Sequence, residues 1–268
     1  MPAPKNLFKQ ALKEGRAQIG LWQALANPYT VEISAGAGYD WLLLDAEHAP
    51  NDVPLLVSQL QAMKGAASHA VIRPPVGETW IIKQMLDIGA QTLLIPMVDS
   101  KEMAEAMVRA MRYPPQGVRG VGAALARASA FNRIPDYLQT ANDEICLLLQ
   151  VESRAGLAAL DAIASTDGVD GVFIGPADLA ADMGHLGKPG ARAVQAEVEK
   201  ALARIQSHGK AAGILIGDLS LAKRYLELGA TFVAIGNDVT LLTNATTRLL
   251  DDFKKAEPSR PATDAKAY

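Results

Sequence analysis

The 268-residue chain has one cysteine, Cys146, and it lies inside the apolar run Ile145 to Val151. An intramolecular disulfide is therefore excluded, and a thiol inside a strand argues against a cysteine nucleophile. A reducing cytoplasm is the expected compartment. An excess of one charge is lacking as well: 26 Lys and Arg stand against 29 Asp and Glu, a formal net charge of -3. That leaves no basic footprint for nucleic acid or an anionic membrane, and small molecules become the expected partners. No segment approaches the ~18 uninterrupted apolar residues of a membrane span, and Lys5 to Arg16 is polar and helical in character rather than a signal-peptide core. The G-x-G-x-x-G turn of dinucleotide-binding sheets does not follow the first apolar run, which argues against an open doubly wound sheet.

What is present is a regular alternation. A hydrophobic content of 49% with 21% charged residues suits one large globular domain, expected over residues 1–255. Pro258, Pro261 and the small polar residues after Lys255 read as a disordered tail over 256–268. Eight short apolar runs read as buried parallel strands: Ala17 to Trp22, Trp41 to Asp45, Ala70 to Arg73, Thr92 to Pro96, Ile145 to Glu152, Gly171 to Gly175, Ala212 to Ile216 and Thr231 to Gly236. Amphipathic stretches such as Asp52 to Lys64, Trp80 to Ile88, Lys101 to Met111, Ala193 to Ser207 and Leu219 to Leu228 read as the crossover helices. A glycine recurs before several strands, at Gly38, Gly89, Gly168, Gly209 and Gly229, where a helix must stop and turn. Eight such units favour a (β/α)8 barrel over an open doubly wound sheet. The long connection from Met111 to Asn142 departs from the repeat and reads as a lid or an interface.

In such barrels chemistry gathers at the carboxyl ends of the strands. The residues found there are polar: Trp22-Gln23, Asp45-Ala46-Glu47-His48, Arg73-Pro74-Pro75, Pro96-Met97, Gln150-Val151-Glu152, Gly175-Pro176-Ala177-Asp178, Gly217-Asp218 and Gly236-Asn237. Glu152 and Asp178 carry the most information, because two hard carboxylate oxygens at one rim can hold a divalent cation. Plainer readings stand beside this. Asp178 suits the N-cap of a helix beginning Leu179-Ala180-Ala181, His48 a satisfied loop histidine, Arg73 a salt bridge and Trp22 a core aromatic. Coincidence at one rim favours the functional reading, and Arg73, closing the buried run Ala70-Val71-Ile72, needs a partner in any case. His69, His185 and His208 end no strand at that rim. By position alone, Asp45 is the partner of His48 and Asp87 a solvated helix-end acid.

Five stretches together carry a resemblance: Gly20-Leu21-Trp22, Asp45-Ala46-Glu47-His48-Ala49-Pro50, Arg112-Tyr113-Pro114-Pro115, Arg119-Gly120-Val121-Gly122 and Gly171-Val172-Phe173-Ile174-Gly175-Pro176-Ala177-Asp178-Leu179. Through them, residues 5–255 resemble the metal-dependent class II pyruvate aldolases typified by 4-hydroxy-2-oxoheptanedioate aldolase. The resemblance implies a barrel of the phosphoenolpyruvate/pyruvate type with Glu152 and Asp178 as metal ligands, His48 as base and Arg73 stabilising the transition state. It places Gln150, Gly175, Pro176 and Ala177 against substrate, and has Asp87 raise the basicity of His48 from a neighbouring subunit. Asp87 and Asp45 both remain candidates for that role, Asp87 ahead. A homohexamer, a trimer of dimers with exchanged C-terminal helices, is implied too.

The chemistry implied is reversible aldol cleavage of a 4-hydroxy-2-oxo acid to pyruvate, or hydroxypyruvate, and an aldehyde, without a nucleotide cofactor. Two protein ligands leave octahedral positions open, which favours Mg²⁺, Mn²⁺ or Co²⁺ over a closed zinc site. Trp22, Val121, Ala123 and Leu215 are the candidates for the aldehyde pocket. A Schiff-base aldolase would need a lysine at a strand end, but Lys64 and Lys83 fall in predicted helices and Lys210 precedes a strand at the opposite face. A CoA-ester lyase would need a basic pocket for the CoA phosphates. A non-catalytic oxo-acid sensor would need the acid pair without His48 and Arg73.

Overall fold

A computed structural model describes residues 1–256. Eight parallel strands close into a barrel: β1 (Gln18–Gln23), β2 (Trp41–Asp45), β3 (His69–Arg73), β4 (Thr92–Ile95), β5 (Cys146–Val151), β6 (Gly171–Ile174), β7 (Ala211–Leu215) and β8 (Phe232–Asn237). Around them run α1 (Leu7–Lys13), α2 (Pro28–Ala35), α3 (Val53–Ala62), α4 (Thr79–Asp87), α5 (Lys101–Met111), α6 (Tyr137–Glu144), α7 (Arg154–Ala164), α8 (Pro176–Asp182), α9 (Arg192–Ser207), α10 (Leu219–Glu227) and α11 (Asp238–Ala256). The eight expected strands are all present, shifted by a residue or so at their ends. The disordered tail expected from residue 256 lies outside the described residues, apart from Ala256 at the end of α11. Among the described residues no helix is long and apolar enough to cross a membrane.

Side chains alternate between the two faces of a strand, so closing the sheet divides every strand into an inward and an outward set. On β2, Leu42 and Leu44 join the outer layer packed under the helices, whereas Trp41 and Leu43 fill the barrel interior. Val71, Leu94, Cys146, Leu148, Phe173, Phe232 and Ala234 are the inward residues of the other strands. Carried on to the carboxyl ends, the same alternation turns Asp45, Arg73, Gln150 and Glu152 inward.

The floor is aromatic. Phe8 of α1 is fully buried and packs on Trp41 and Phe232 with ring centroids 5.9 and 6.3 Å away. Such large rings fit inside an eight-stranded barrel only because facing positions are empty: a Cβ on Gly20 would collide with the Trp41 ring, and one on Gly213 with the Phe232 ring. The helix-to-strand glycines behave as the sequence requires, with Gly89 at φ +102° and Gly229 at φ +89°.

Gly213→Ala should therefore lower stability by about 1–3 kcal/mol through overpacking. Gly190→Ala, where a Cβ meets nothing within 4 Å, should stay within about 0.5 kcal/mol. Urea unfolding of the two variants checks the difference.

Candidate active site

The four inward polar residues meet at the carboxyl end of the barrel. Asp45 and Arg73 are register neighbours across β2 and β3, which brings a carboxylate and a guanidinium together with no freedom to separate. Arg73 donates from Nε to Asp45 Oδ1 at 2.9 Å and from Nη2 to Oδ2 at 2.6 Å. Both groups are buried, at 6% and 2% exposure. Burial pushes the Asp45 carboxyl upward, but the Arg73 hydrogen bonds and charge outweigh it and hold the group below the ordinary aspartate value. Trp22 Nε1 also donates to Asp45 Oδ2, at 3.2 Å, while its ring lies 5.1 Å from the Arg73 guanidinium carbon.

Glu47 is the residue that sequence reasoning passed over. Its Oε2 lies 2.8 Å from Arg73 Nη1 and 3.9 Å from His48 Nε2, so Arg73 faces two carboxylates. The signal was available in the Asp45-Ala46-Glu47 spacing, but Glu47 lies beyond the strand, where alternation no longer says which way a side chain turns. Asp45 does not meet the His48 ring in this chain: it accepts from the backbone N–H groups of Glu47 and His48, at 3.0 and 3.4 Å, and otherwise serves Arg73 and Trp22. His48 itself is an exposed rim residue, its side chain 66% accessible.

Glu152, only 3% exposed, is held from two sides. Met97 N–H donates to Oε1 at 2.9 Å and Gln150 Nε2 to Oε2 at 2.5 Å. Met97 adopts φ +57°, a left-handed conformation rare for a non-glycine residue, in order to aim that N–H. A Cβ on Gly175 would lie 2.7 Å from Glu152 Oε2, so glycine there lets β6 approach the carboxylate. Burial pushes the Glu152 carboxyl up to about 7 despite these hydrogen bonds, and the charges of Glu47 and Asp178 add to the rise. Asp178 is not the N-cap of α8, which is Gly175. It stands in the first helical turn, exposed, and its carboxylate accepts no hydrogen bond among the described residues.

Trp22, His48, Arg73, Gln150, Glu152, Gly175, Pro176, Ala177, Asp178 and Leu215 line one cleft of about 430 Å³, joined by Gly217 of the seventh strand end and by Phe173, Pro189 and Ile216, which were not among the candidate site residues. Gln150 Oε1 is buried there without a partner. Val121 and Ala123 line a different cavity, with Ser129, Tyr137 and Leu138. Asp87 is also elsewhere, accepting from Arg119 Nη2 at 2.8 Å. The loop bearing Val121 is placed by its own packing, which no periodicity predicts.

A family model for HpcH/HpaI aldolase/citrate lyase matches residues 18–245. The chain belongs to this family. It is 58% identical over 268 residues to a hydroxypyruvate/pyruvate aldolase of Pseudomonas aeruginosa, covering all of both chains. It is 57% identical over 249 residues to a 4-hydroxy-2-oxo-heptane-1,7-dioate aldolase of Escherichia coli, covering 93% of this chain and 95% of the relative. The crystal structure of an HpcH/HpaI aldolase/citrate lyase family protein from Burkholderia cenocepacia superposes with a TM-score of 0.90 at 40% identity, covering 93% of this chain and all of that one. The family resemblance read from the motifs is borne out, and so are the barrel and the assignment to carbon–carbon lyases.

Asp45→Asn turns an amide toward a buried guanidinium and leaves Glu47 as its one remaining carboxylate, which should cost about 1–3 kcal/mol. Removing the more exposed Asp161, which pairs with Arg204 at 2.8 Å, should cost below about 1 kcal/mol. Urea midpoints compare the two.

Proposed function

We propose that the chain catalyses reversible, divalent-cation-dependent aldol cleavage of 4-hydroxy-2-oxo acids to pyruvate, or hydroxypyruvate, and an aldehyde. The observation that carries this is the meeting of Glu152, Asp178, Arg73 and His48 in one cleft. The donor set fits a hard cation. Burial and the charges of Glu47 and Asp178 raise the Glu152 pKa, a concentration of acidic groups around one buried carboxyl. Among the described residues no three His, Cys, Asp or Glu side chains converge to hold a metal. A cation here would thus rest on the two carboxylates of Glu152 and Asp178 and complete its shell with water and substrate, a mode suited to Mg²⁺, Mn²⁺ or Co²⁺. When bound, it supplies Lewis-acid polarisation of the substrate's keto group.

The side chains supply the rest. Of the five N–H donors of Arg73, one on Nε and one on Nη2 are committed to Asp45, while Nη1 stands beside Glu47 Oε2 as an ion pair without a hydrogen bond. The remaining donors can turn to the keto oxygen as it gains enolate charge, from a position fixed before reaction begins. His48, at the open rim, takes the C4-hydroxyl proton in cleavage; general-base assistance of this kind contributes about 10²–10⁴ in rate. Gln150 orients Glu152 and the substrate, with Gly175, Pro176 and Ala177 forming the wall against which the oxo acid lies. Trp22 and Leu215 contribute the apolar side of the aldehyde pocket.

A homo-oligomer completes this reading, with Asp87 of a neighbouring copy reaching the cleft. In support, α11 leaves Leu241, Leu242, Leu249, Leu250 and Phe253 exposed, as an exchanged helix of a hexamer would. A fully active monomer in analytical ultracentrifugation would remove both the exchange and the Asp87 role. The cytoplasm remains the proposed compartment, supported by the single buried cysteine.

Proton exchange at the pyruvate methyl in D₂O, followed by NMR with Mn²⁺ or Mg²⁺ and with EDTA, tests the core of the proposal. Exchange should need the metal. Glu152→Gln should abolish exchange and weaken Mn²⁺ binding at least tenfold, whereas His48→Ala should keep Mn²⁺ binding and lower aldol cleavage by about 10²-fold or more. Loss of Mn²⁺ from His48→Ala would make His48 a ligand. Absence of exchange with both pyruvate and hydroxypyruvate would overturn the aldolase reading.

A further inference from the structure

At the opposite, amino-terminal end of the barrel lies a second cleft, of about 250 Å³, between α1, α5 and the starts of β5, β6 and β7. Four cations, Lys9, Lys13, Arg112 and Lys210, line it together with two carboxylates, Asp167 and Asp170. The chain as a whole carries a net charge of -3, so this is a local reversal of sign.

Part of the cluster is structural. Lys9 Nζ donates to the carbonyls of Asp143 and Ile145 at 3.0 and 2.6 Å and lies 3.6 Å from Asp170 Oδ1. Asp170 Oδ2 accepts from Leu147 N–H at 2.9 Å, and Lys210 Nζ donates to the Val169 carbonyl at 2.8 Å. These contacts tie α1 and the strand entrances together, as the floor of a barrel requires. Arg112 and Lys13 brace nothing in this way, since among the described residues neither side chain makes a hydrogen bond or an ion pair. One carboxylate, Asp167, is similarly uncommitted.

The backbone that carries the Arg112 guanidinium is nevertheless held in place. It is pinned on both sides, by Arg119 N–H donating to the Arg112 carbonyl at 2.9 Å and by Tyr113 N–H donating to Asn142 Oδ1 at 2.9 Å. Across from it, Gly168 stands at φ +93°, and a Cβ there would lie 2.7 Å from Arg112 Nη2. The guanidinium thus lies over a glycine that makes room for it, half-buried, with its donors directed at no protein acceptor. Such a group is poised to receive an oxyanion in its planar fork, with the lysines as point charges around it.

We propose that this cleft is a binding site for a small dianionic oxyanion, either free phosphate or the phosphate group of a compact monoester. Its volume, about 250 Å³, lies below the ~300–1,000 Å³ of pockets for larger organic ligands and suits a compact one. The test is thermal unfolding of the Mg²⁺-loaded protein with inorganic phosphate, against sodium chloride at matched ionic strength. Phosphate should raise Tm by about 2–5 °C at saturation. The rise should persist in Arg73→Lys, which alters the other end of the barrel, and should vanish in Arg112→Gln and shrink in Lys13→Gln. Lys13 is exposed, so its replacement reads out binding even if Arg112→Gln does not fold. Glycerol phosphate in a parallel arm assigns the source: a larger shift than with phosphate identifies a monoester, an equal or smaller one the free ion. No rise beyond chloride, an unchanged rise in Lys13→Gln, or loss of the rise in Arg73→Lys would overturn the proposal.

Discussion

A guanidinium buried at the mouth of a barrel cannot stay there alone, and the structure of the candidate site follows from how Arg73 is compensated. Taking a charge out of water costs several kcal/mol unless a partner stands in hydrogen-bonding geometry. The partner has to come from a neighbouring strand, because a loop would not hold it to the required distance. Parallel register supplies it: Asp45 lies beside Arg73 on β2. Asp45 then needs its second oxygen shared, which fixes the Trp22 indole, and Trp22 packs on Phe173 across the barrel with centroids 5.5 Å apart. One ion pair thereby sets the orientation of a cation, an aromatic wall and the floor beneath them. Its contribution is orientation more than stability, since a matched apolar pair would cost less to bury.

The acidic half of the site is organised by the opposite device. Glu152 has no buried cation of its own. It is held by a backbone N–H from Met97 in a left-handed conformation and by the Gln150 amide, neutral groups that fix direction without cancelling charge. Burial keeps the carboxyl high in pKa, and the charges of Glu47 and Asp178 add to the rise. A folded chain that accepts backbone strain to hold an uncompensated carboxylate leaves room for a positive ligand from outside. The separation of duties is chemically sensible: the fixed cation, Arg73, is matched inside the protein, whereas the cation proposed for Glu152 and Asp178 would come from outside.

Those two arrangements are unequally legible in the sequence. Strand ends can be read because alternation is strict, so Arg73, Gln150, Glu152 and the Gly175 to Asp178 turn follow from periodicity and position alone. The same rule fails one step beyond the strands. Glu47 sits past the end of β2, and its turn toward Arg73 depends on the loop path to His48. Asp45 reads as serving His48 because it is close in sequence, yet register with β3 decides its partner. Val121, Ala123 and Asp87 belong to the long loop and the helix beside it, and their position relative to the cleft of this chain is set by packing that no spacing encodes. Pro189 and Ile216 line the cleft without a sequence signal for a related reason, since both lie where a strand or helix gives way to irregular chain.

The two ends of the barrel differ in a way that the net charge conceals. At the carboxyl end Asp45, Glu47, Glu152 and Asp178 outnumber Arg73, even before His48 is considered. At the amino end Lys9, Lys13, Arg112 and Lys210 outnumber Asp167 and Asp170. Strand direction accounts for part of this, because each end exposes a different set of loops to different demands: the amino end must hold α1 and the strand entrances together through carbonyl groups, which suits lysine, whereas the carboxyl end must hold directional acceptors. Lysines recruited for bracing leave a positive environment behind them, and Arg112, which braces nothing, stands inside it. A site for an anion can therefore arise at the floor of a barrel as a by-product of what stabilises it, just as the proposed cation site at the top would grow from what orients its carboxylates.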